Sequence, residues 1–231
     1  GNHFSPQVAI DQLGNTVAVW LEISGSNYLI QAATKPVAGS WSLPTTLSTM
    51  SNSSEPKIAM NNNSQAIVIW TDYALNLIQV SHLTFGGIFS APITVSTLPQ
   101  QQSNPLIGID DNGDGYAVWE TDSKDLYTAE SNGLIWNSPS LLHGNGTNTN
   151  PSLSVSGIGR ALVAWSNFNL NEIRSDWYVA PSWSKIPSVI SPIDVSAPAA
   201  AAFMNHGFVT WQDQNTGLIQ AINYNATEWA H

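Results

Sequence analysis

The sequence predicts an all-β chain in which one module is written five times, and three observations carry that prediction. Apolar runs end in tryptophan at Trp20, Trp70, Trp119, Trp165 and Trp211, at intervals of 50, 49, 46 and 46 residues. A proline stands about fourteen residues before each, at Pro6, Pro56, Pro105, Pro151 and Pro198, and an aromatic follows 17 to 21 residues after, at Trp41, Phe89, Trp136, Trp183 and Trp229. No segment keeps apolar residues at three- and four-residue spacing over three turns, so helices fail. Periods of this size mark supersecondary units that bury their apolar faces only by stacking on their neighbours.

Within the first module, residues 6–11 and 16–20 are short β-type runs joined by a polar turn containing Gly14, which reads as a hairpin. Its counterparts turn at 61–64, 110–115, 156–159 and 204–207. The second run is continuously apolar (AIVIW at 66–70, ALVAW at 161–165), so both faces of that strand are to be buried. A third strand is predicted at 28–33, 77–80, 126–129, 173–175 and 218–221, and a fourth at 41–48, 89–92 and 136–139. The first strands carry small residues (Ala9, Ala59, Gly108, and alanine throughout 199–202), as crowding around a narrow axis requires. Four antiparallel strands per repeat, wedged between like neighbours, define a propeller blade. The expectation is one domain, a five-bladed β-propeller of about 47 residues per repeat, with blades at 4–50, 51–99, 100–147, 148–194 and 195–231. The last repeat is short, so residues 2–4 are expected to complete its outer strand, unless further repeats follow in the natural chain.

Composition narrows the function classes. Charged residues make up 10 %, against roughly 25 % in ordinary soluble domains. Six Lys plus Arg against sixteen Asp plus Glu give a net charge of −10, which opposes binding to a phosphate backbone or an anionic membrane surface. Nucleic acid is therefore not an expected partner. No run approaches the roughly 20 apolar residues of a membrane-spanning helix, and no leader opens the chain, so no membrane insertion is expected. Zero cysteines exclude disulfides and thiolate chemistry. The lysine-poor, Asn/Ser/Thr-rich composition points to an extracellular, periplasmic or cell-surface setting. Sequons occur at Asn52, Asn62, Asn145 and Asn225, as expected by chance in so Asn-rich a chain.

The segment AESNGLIW at 129–136 resembles the Asp-box of sialidase-like propellers, Ser-x-Asp-x-Gly-x-Thr-Trp, in degraded form. The other modules keep the aromatic, with a nearby glycine at Gly39 and Gly86. In that family the box is a fold-stabilising turn, so the resemblance implies architecture. In repeat length, blade number and aromatic content the chain is also similar to tachylectin-type propeller lectins, which implies a sugar site per blade. A sialidase clamps its substrate carboxylate with three arginines, whereas only Arg160 and Arg174 exist here.

Several residues are candidates for chemistry. Two positions beyond each tryptophan stand Glu22, Asp72, Thr121, Asn167 and Asp213, and the third strand brings Gln31, Gln79, Tyr127, Arg174 and Gln220 to one equivalent position. A carboxylate and an amide beside an aromatic match what a sugar offers, namely hydroxyls that donate and accept and a C–H face that stacks. The ligand-binding set is therefore Glu22, Gln31, Asp72, Gln79, Asp213 and Gln220, complete in modules one, two and five. The plainer reading makes the tryptophans core and the acids loop solvation. Axial carboxylates at Asp11, Asp110, Asp111 and Asp194 are the material for a glycoside hydrolase, which needs an acid and a base or nucleophile at fixed separation. In the plainer alternative they cap turns. Asp110, Asn112 and Asp114 begin like a calcium loop, but position twelve is Thr121, which favours a turn. The five histidines show no recurring spacing, and neither a metal nor a cofactor is called for. The sequence thus predicts a non-enzymatic, lectin-like binding propeller for glycans, with a structural or protein-interaction propeller of a longer surface protein, and then a glycosidase, as alternatives.

Overall fold

The structure, a computed structural model, describes residues 1–49, 52–54, 56–84, 86–144, 146–184, 188–191, 197–225 and 229–230. Five antiparallel meanders follow one another, and no helix occurs among the described residues. Sheet 1 comprises β1 (Asn2–Ile10), β2 (Thr16–Ser24), β3 (Asn27–Lys35) and β4 (Thr45–Thr46). Sheet 2 comprises β5 (Lys57–Met60), β6 (Gln65–Asp72), β7 (Leu77–Thr84) and β8 (Ile93–Ser96). Sheet 3 holds β9 (Gln102–Ile109), β10 (Gly115–Thr121), β11 (Leu126–Asn132), β12 (Ile135–Trp136) and β13 (Ser140–His143). Sheet 4 holds β14 (Asn148–Val155), β15 (Arg160–Asn167), β16 (Glu172–Val179), β17 (Ser182–Trp183) and β18 (Ser188–Ser191). Sheet 5 holds β19 (Ala199–Phe203), β20 (His206–Gln212), β21 (Ile219–Asn225) and β22 (Trp229–Ala230).

In sheets 2, 3 and 4 the continuous apolar runs become second strands buried on both faces, because each of these sheets packs its two faces against different neighbours. Val17, Val19, Leu21 and Ile30 of sheet 1 meet Ala66, Val68 and Trp70 of sheet 2. The opposite face of sheet 2, with Ile67, Ile69 and Ile78, meets Ala117 and Trp119 of sheet 3. Sheets 3 and 4 join through Val118, Leu126, Val163 and Trp165, and sheets 4 and 5 through Leu162, Ile173, Val209 and Trp211. Each fully buried Val, Leu or Ile contributes about 1.5–3 kcal/mol, so these four interfaces hold the array together. No such cluster joins sheet 5 to sheet 1 among the described residues.

In sheets 1, 3 and 4 the recurring proline marks a bulge. Register slips between Phe4 and Gln7 in β1 and between Thr149 and Ser152 in β14, and opposite β9 between Val118 and Glu120. The residue before each of these prolines is left-handed, with φ of 49° at Ser5, 52° at Asn104 and 51° at Asn150. Proline has no N–H to give the ladder, so the repeat places it where the ladder is interrupted. The crowding of first strands is visible at Gly108: a Cβ there would lie 2.1 Å from Cγ2 of Val155 on β14.

Two sequence expectations are corrected. The fourth strand does not run straight on from the aromatic. Trp136 and Trp183 make two-residue bridges to the end of the third strand, and a separate strand, β8, β13 or β18, pairs with its beginning. Pro92 and Pro139, three residues after their aromatics, break the pairing between the two pieces. Residues 2–4, expected to complete the last outer strand, instead pair within sheet 1, Asn2, His3 and Phe4 with Ile23, Glu22 and Leu21.

Candidate ligand-binding site

Register sets the geometry of the predicted set. Each repeated tryptophan lies directly across from the predicted third-strand residue: Trp20 faces Gln31, Trp70 faces Gln79, Trp119 faces Tyr127, Trp165 faces Arg174 and Trp211 faces Gln220. Because side chains alternate, the residue two beyond each tryptophan shares its face. The structure thus brings acid, glutamine and indole to one face of sheets 1, 2 and 5.

The sites are not alike. Trp70, Asp72 and Gln79 are buried between sheets 1 and 2. Asp72 Oδ1 accepts the amides of Ala74 and Leu75 at 2.9 and 3.2 Å, closing the turn after β6, while Asp72 Oδ2, Gln79 Oε1 and Trp70 Nε1 have no protein partner. In sheet 5, Asp213 Oδ1 caps the next turn through the amides of Asn215 and Thr216, and its Oδ2 accepts from Gln220 Nε2 at 3.3 Å. Burial pushes the Asp213 carboxyl up, but the hydrogen bonds from Thr216 and Asn215 outweigh it and hold it below the ordinary value. In sheet 1, Gln31 Nε2 donates to Thr46 Oγ1 at 2.8 Å, and Glu22 is half-buried. Trp20 there borders a cavity of about 390 Å³ walled by His3, Phe4, Pro6 and Pro44.

Modules three and four fill the position differently. Tyr127 stacks on Trp119, ring centroids 6.3 Å apart. Arg174 is held by Glu172 Oε2 at 2.8 Å and faces His143 Nε2 at 3.0 Å. A guanidinium only donates, so this histidine is neutral at Nε2. Burial, and then the charge of Arg174, push the His143 pKa down. Trp165 alone of the five indoles finds an acceptor, Asn148 Oδ1 at 3.1 Å; those of Trp20, Trp70, Trp119 and Trp211 have none.

Of the first-strand carboxylates, Asp11 and Asp110 cap turns, while Asp111 Oδ1 accepts the amide of Asn62 in the preceding module at 3.3 Å. Asp11 Oδ1 accepts the amides of Leu13 and Asn15, and its Oδ2 accepts from Ser64 of sheet 2 at 2.6 Å. Burial raises this carboxyl, but its hydrogen bonds from Ser64, Asn15 and Leu13 together hold it below the usual value. Asp110 Oδ1 takes the amides of Asn112 and Asp114, while Asp114 Oδ1 takes that of Gly133. Asp110, Asn112 and Asp114 therefore build a turn, and no cluster of three metal-ligating side chains occurs among the described residues. Asp194, Asn145 and His231 lie outside the described residues, as do 226–228 of the last aromatic segment.

Sequence reasoning missed one broad concavity. Residues preceding or opening the inner strands of sheets 2 to 5 converge with Leu21 and Tyr28 of sheet 1 on a cavity of about 740 Å³. Tyr28, Tyr73, Asn104 and Asn150 line it with Lys57, and Glu120 is the sole carboxylate among the described lining residues. Glu120 is buried, accepts the amide of Asn150 at 3.0 Å and lies 3.8 Å from Lys124 Nζ. The available signal was the Asn-Pro pair at 104–105 and 150–151, which marks the inner ends of two strands.

No family model matches the chain, and no curated protein matches it. Solved structures do match in fold. AofleA from Arthrobotrys oligospora superposes with a TM-score of 0.62 at 13 % identity, over 94 % of this chain and 67 % of that one. The lectin of Aleuria aurantia, described as a six-bladed β-propeller with a fucose recognition mode, gives 0.58 at 12 % identity over 97 % and 75 %. The Hadza microbial sialidase Hz136 gives 0.58 at 9 % identity over 98 % and 57 %. At these identities the likeness is one of fold: the chain is an all-β array of propeller-type sheets.

Proposed function

We propose that the chain supplies five propeller blades and is non-enzymatic, binding carbohydrate at the blades keeping both acid and glutamine, through Glu22 with Gln31, Asp72 with Gln79, and Asp213 with Gln220. The observation that carries this reading is the group of unpartnered polar atoms on one face of sheet 2: the donor Trp70 Nε1 with the acceptors Asp72 Oδ2 and Gln79 Oε1. A buried polar atom without a partner costs about 1–3 kcal/mol. A water molecule or a sugar hydroxyl, each donor and acceptor at once, would satisfy such a group. In sheet 1 the indole of Trp20 borders a cavity that it walls with His3, Phe4, Pro6 and Pro44, surface on which the C–H face of a sugar packs. Sites of this size bind weakly one by one and gain through multivalency, which suits glycans displayed outside the cell. Likeness in fold to the fucose-recognising Aleuria lectin supports the same reading, at the level of fold only.

A second reading, a structural or protein-interaction propeller, is favoured by the turn-capping bonds that occupy Asp72 Oδ1 and Asp213 Oδ1. A glycosidase reading finds no acid/base pair among the described residues lining the cavity of about 740 Å³, where Glu120 is the sole carboxylate. A glycan array probed with the purified chain, with its solution mass measured on the same sample, separates the first two. Saturable binding to a related set of sugars is the expected result; a silent array from a folded protein moves the assignment to protein interaction.

A further inference from the structure

The two ends of the array expose faces that every internal sheet buries. At the open side of sheet 1, Val8 is 67 % exposed and Ile10 63 %. Their counterparts in later repeats, Ile58 and Met60, Ile107 and Ile109, and Leu153 and Val155, all pack against the preceding sheet. Trp41 of the first repeat is 48 % exposed, whereas Trp136 Nε1 reaches back to His82 Nε2 at 3.2 Å and Trp183 Nε1 to Glu130 Oε1 at 2.5 Å, each on the third strand of the sheet before. At the other end, Phe208 is 54 % and Ile219 73 % exposed, while their equivalents Ile67 and Ile78 in sheet 2 are fully buried against sheet 3. One end therefore presents the face that each sheet offers forward, and the other the face that each sheet offers back.

We propose that the space between sheet 5 and sheet 1 is a seat for one further four-stranded sheet of this same repeat. The occupant is identified by the four interfaces already present in the chain, each of which joins this forward face to this backward face. Backbone pairing agrees. The beginning of the third strand is paired by β4, β8, β13 or β18 in sheets 1 to 4, but in sheet 5 the described outer strand β22 pairs only with Asn223 and Tyr224. Among the described residues no outer strand pairs with Ile219 and Gln220, which leaves that edge for an incoming strand. The array also superposes on a six-bladed ring over nearly its whole length. A whole second copy does not suit the seat. Its terminal sheet is backed by four others, which would need the arc that this chain's own sheets fill.

The test is to fuse a copy of residues 139–191 after His231, which supplies a strand for the edge at Ile219 and Gln220 followed by a sixth repeat. Light scattering, binding of an apolar dye and thermal unfolding are then compared with the parent. The expected result is a monomer whose dye signal drops and whose unfolding midpoint rises by roughly 5 °C or more. Val8→Asp with Ile10→Asp should cancel that gain in the extended chain yet shift the parent by less than about 2 °C, since these side chains already face solvent there. An appended repeat that proteases remove while the midpoint stays put overturns the proposal. So does a parent whose dye signal disappears through concentration-dependent self-association, because a second copy would then be the occupant.

Discussion

Replacing Asp72 with alanine removes a carboxylate that is fully buried between sheets 1 and 2, and the structure gives the cost in two opposing parts. Oδ1 accepts two amides, from Ala74 at 2.9 Å and Leu75 at 3.2 Å, and hydrogen bonds to a charged acceptor are worth about 1.5–3 kcal/mol each when water cannot replace them. Both donors sit in an exposed turn, where water takes over part of the role, so their joint loss is about 2–3 kcal/mol. Against this, Oδ2 has no protein partner, and deleting it recovers about 1 kcal/mol of desolvation. The net is about 1–2 kcal/mol of destabilisation, which for a chain of this size lowers the thermal midpoint by about 2–8 °C. Asp72→Asn keeps the Oδ1 acceptor and should lose less than half as much. Differential scanning calorimetry of the three proteins decides. If the alanine variant melts at or above the parent, the turn is not held by this side chain; if asparagine costs as much as alanine, charge and not cap geometry is what counts.

Other outcomes follow from packing and protonation. Gly108→Ala forces β9 away from Val155 on β14 and should cost about 1–3 kcal/mol in urea unfolding, most of it recovered in the double variant with Val155→Ala. His82 and His143 are both pushed below 6.5, by burial in each case and also by Arg174 at His143, so the unfolded chain binds more protons than the folded one in the window below that value. Stability is therefore expected to fall as the pH drops through that window, and His82→Gln with His143→Gln should flatten the dependence measured by thermal unfolding between about pH 7.5 and 5.5. Below about pH 4, protonation of Asp11 and Asp213, whose carboxyls sit lower than usual when folded, removes further stability; Asp11→Asn should lessen that acid loss.

Much of the architecture was legible because the repeat writes the same physics five times. A strand such as AIVIW at 66–70 can satisfy two buried faces only between two neighbouring sheets, and the five tryptophans fall opposite the third-strand positions that spacing assigned to them. The outer strand was not legible, since proline three residues after the aromatic divides it into two pieces whose pairing depends on the third strand and not on local pattern. The candidate site was legible as position but not as environment. An aspartate after a strand caps the following turn with the same oxygens that would hold a sugar, and sequence does not show that Asp72 is buried while Glu22 is half-open. The axial cavity escaped because it draws single residues from separate repeats, Tyr28, Tyr73 and Asn150 among them, which no one repeat displays together.

The central claim concerns the three blades that keep both acid and glutamine, and the glutamines offer the cleaner probe because, unlike Asp72 and Asp213, they cap no turn. The measurement is an equilibrium titration of the best-bound saccharide from the array into the parent and into the variant carrying Gln31→Ala, Gln79→Ala and Gln220→Ala. An affinity loss of about tenfold or more, equivalent to roughly 1.4 kcal/mol, is predicted for a variant with an unchanged circular dichroism spectrum. Undiminished affinity in the folded triple variant would contradict the assignment.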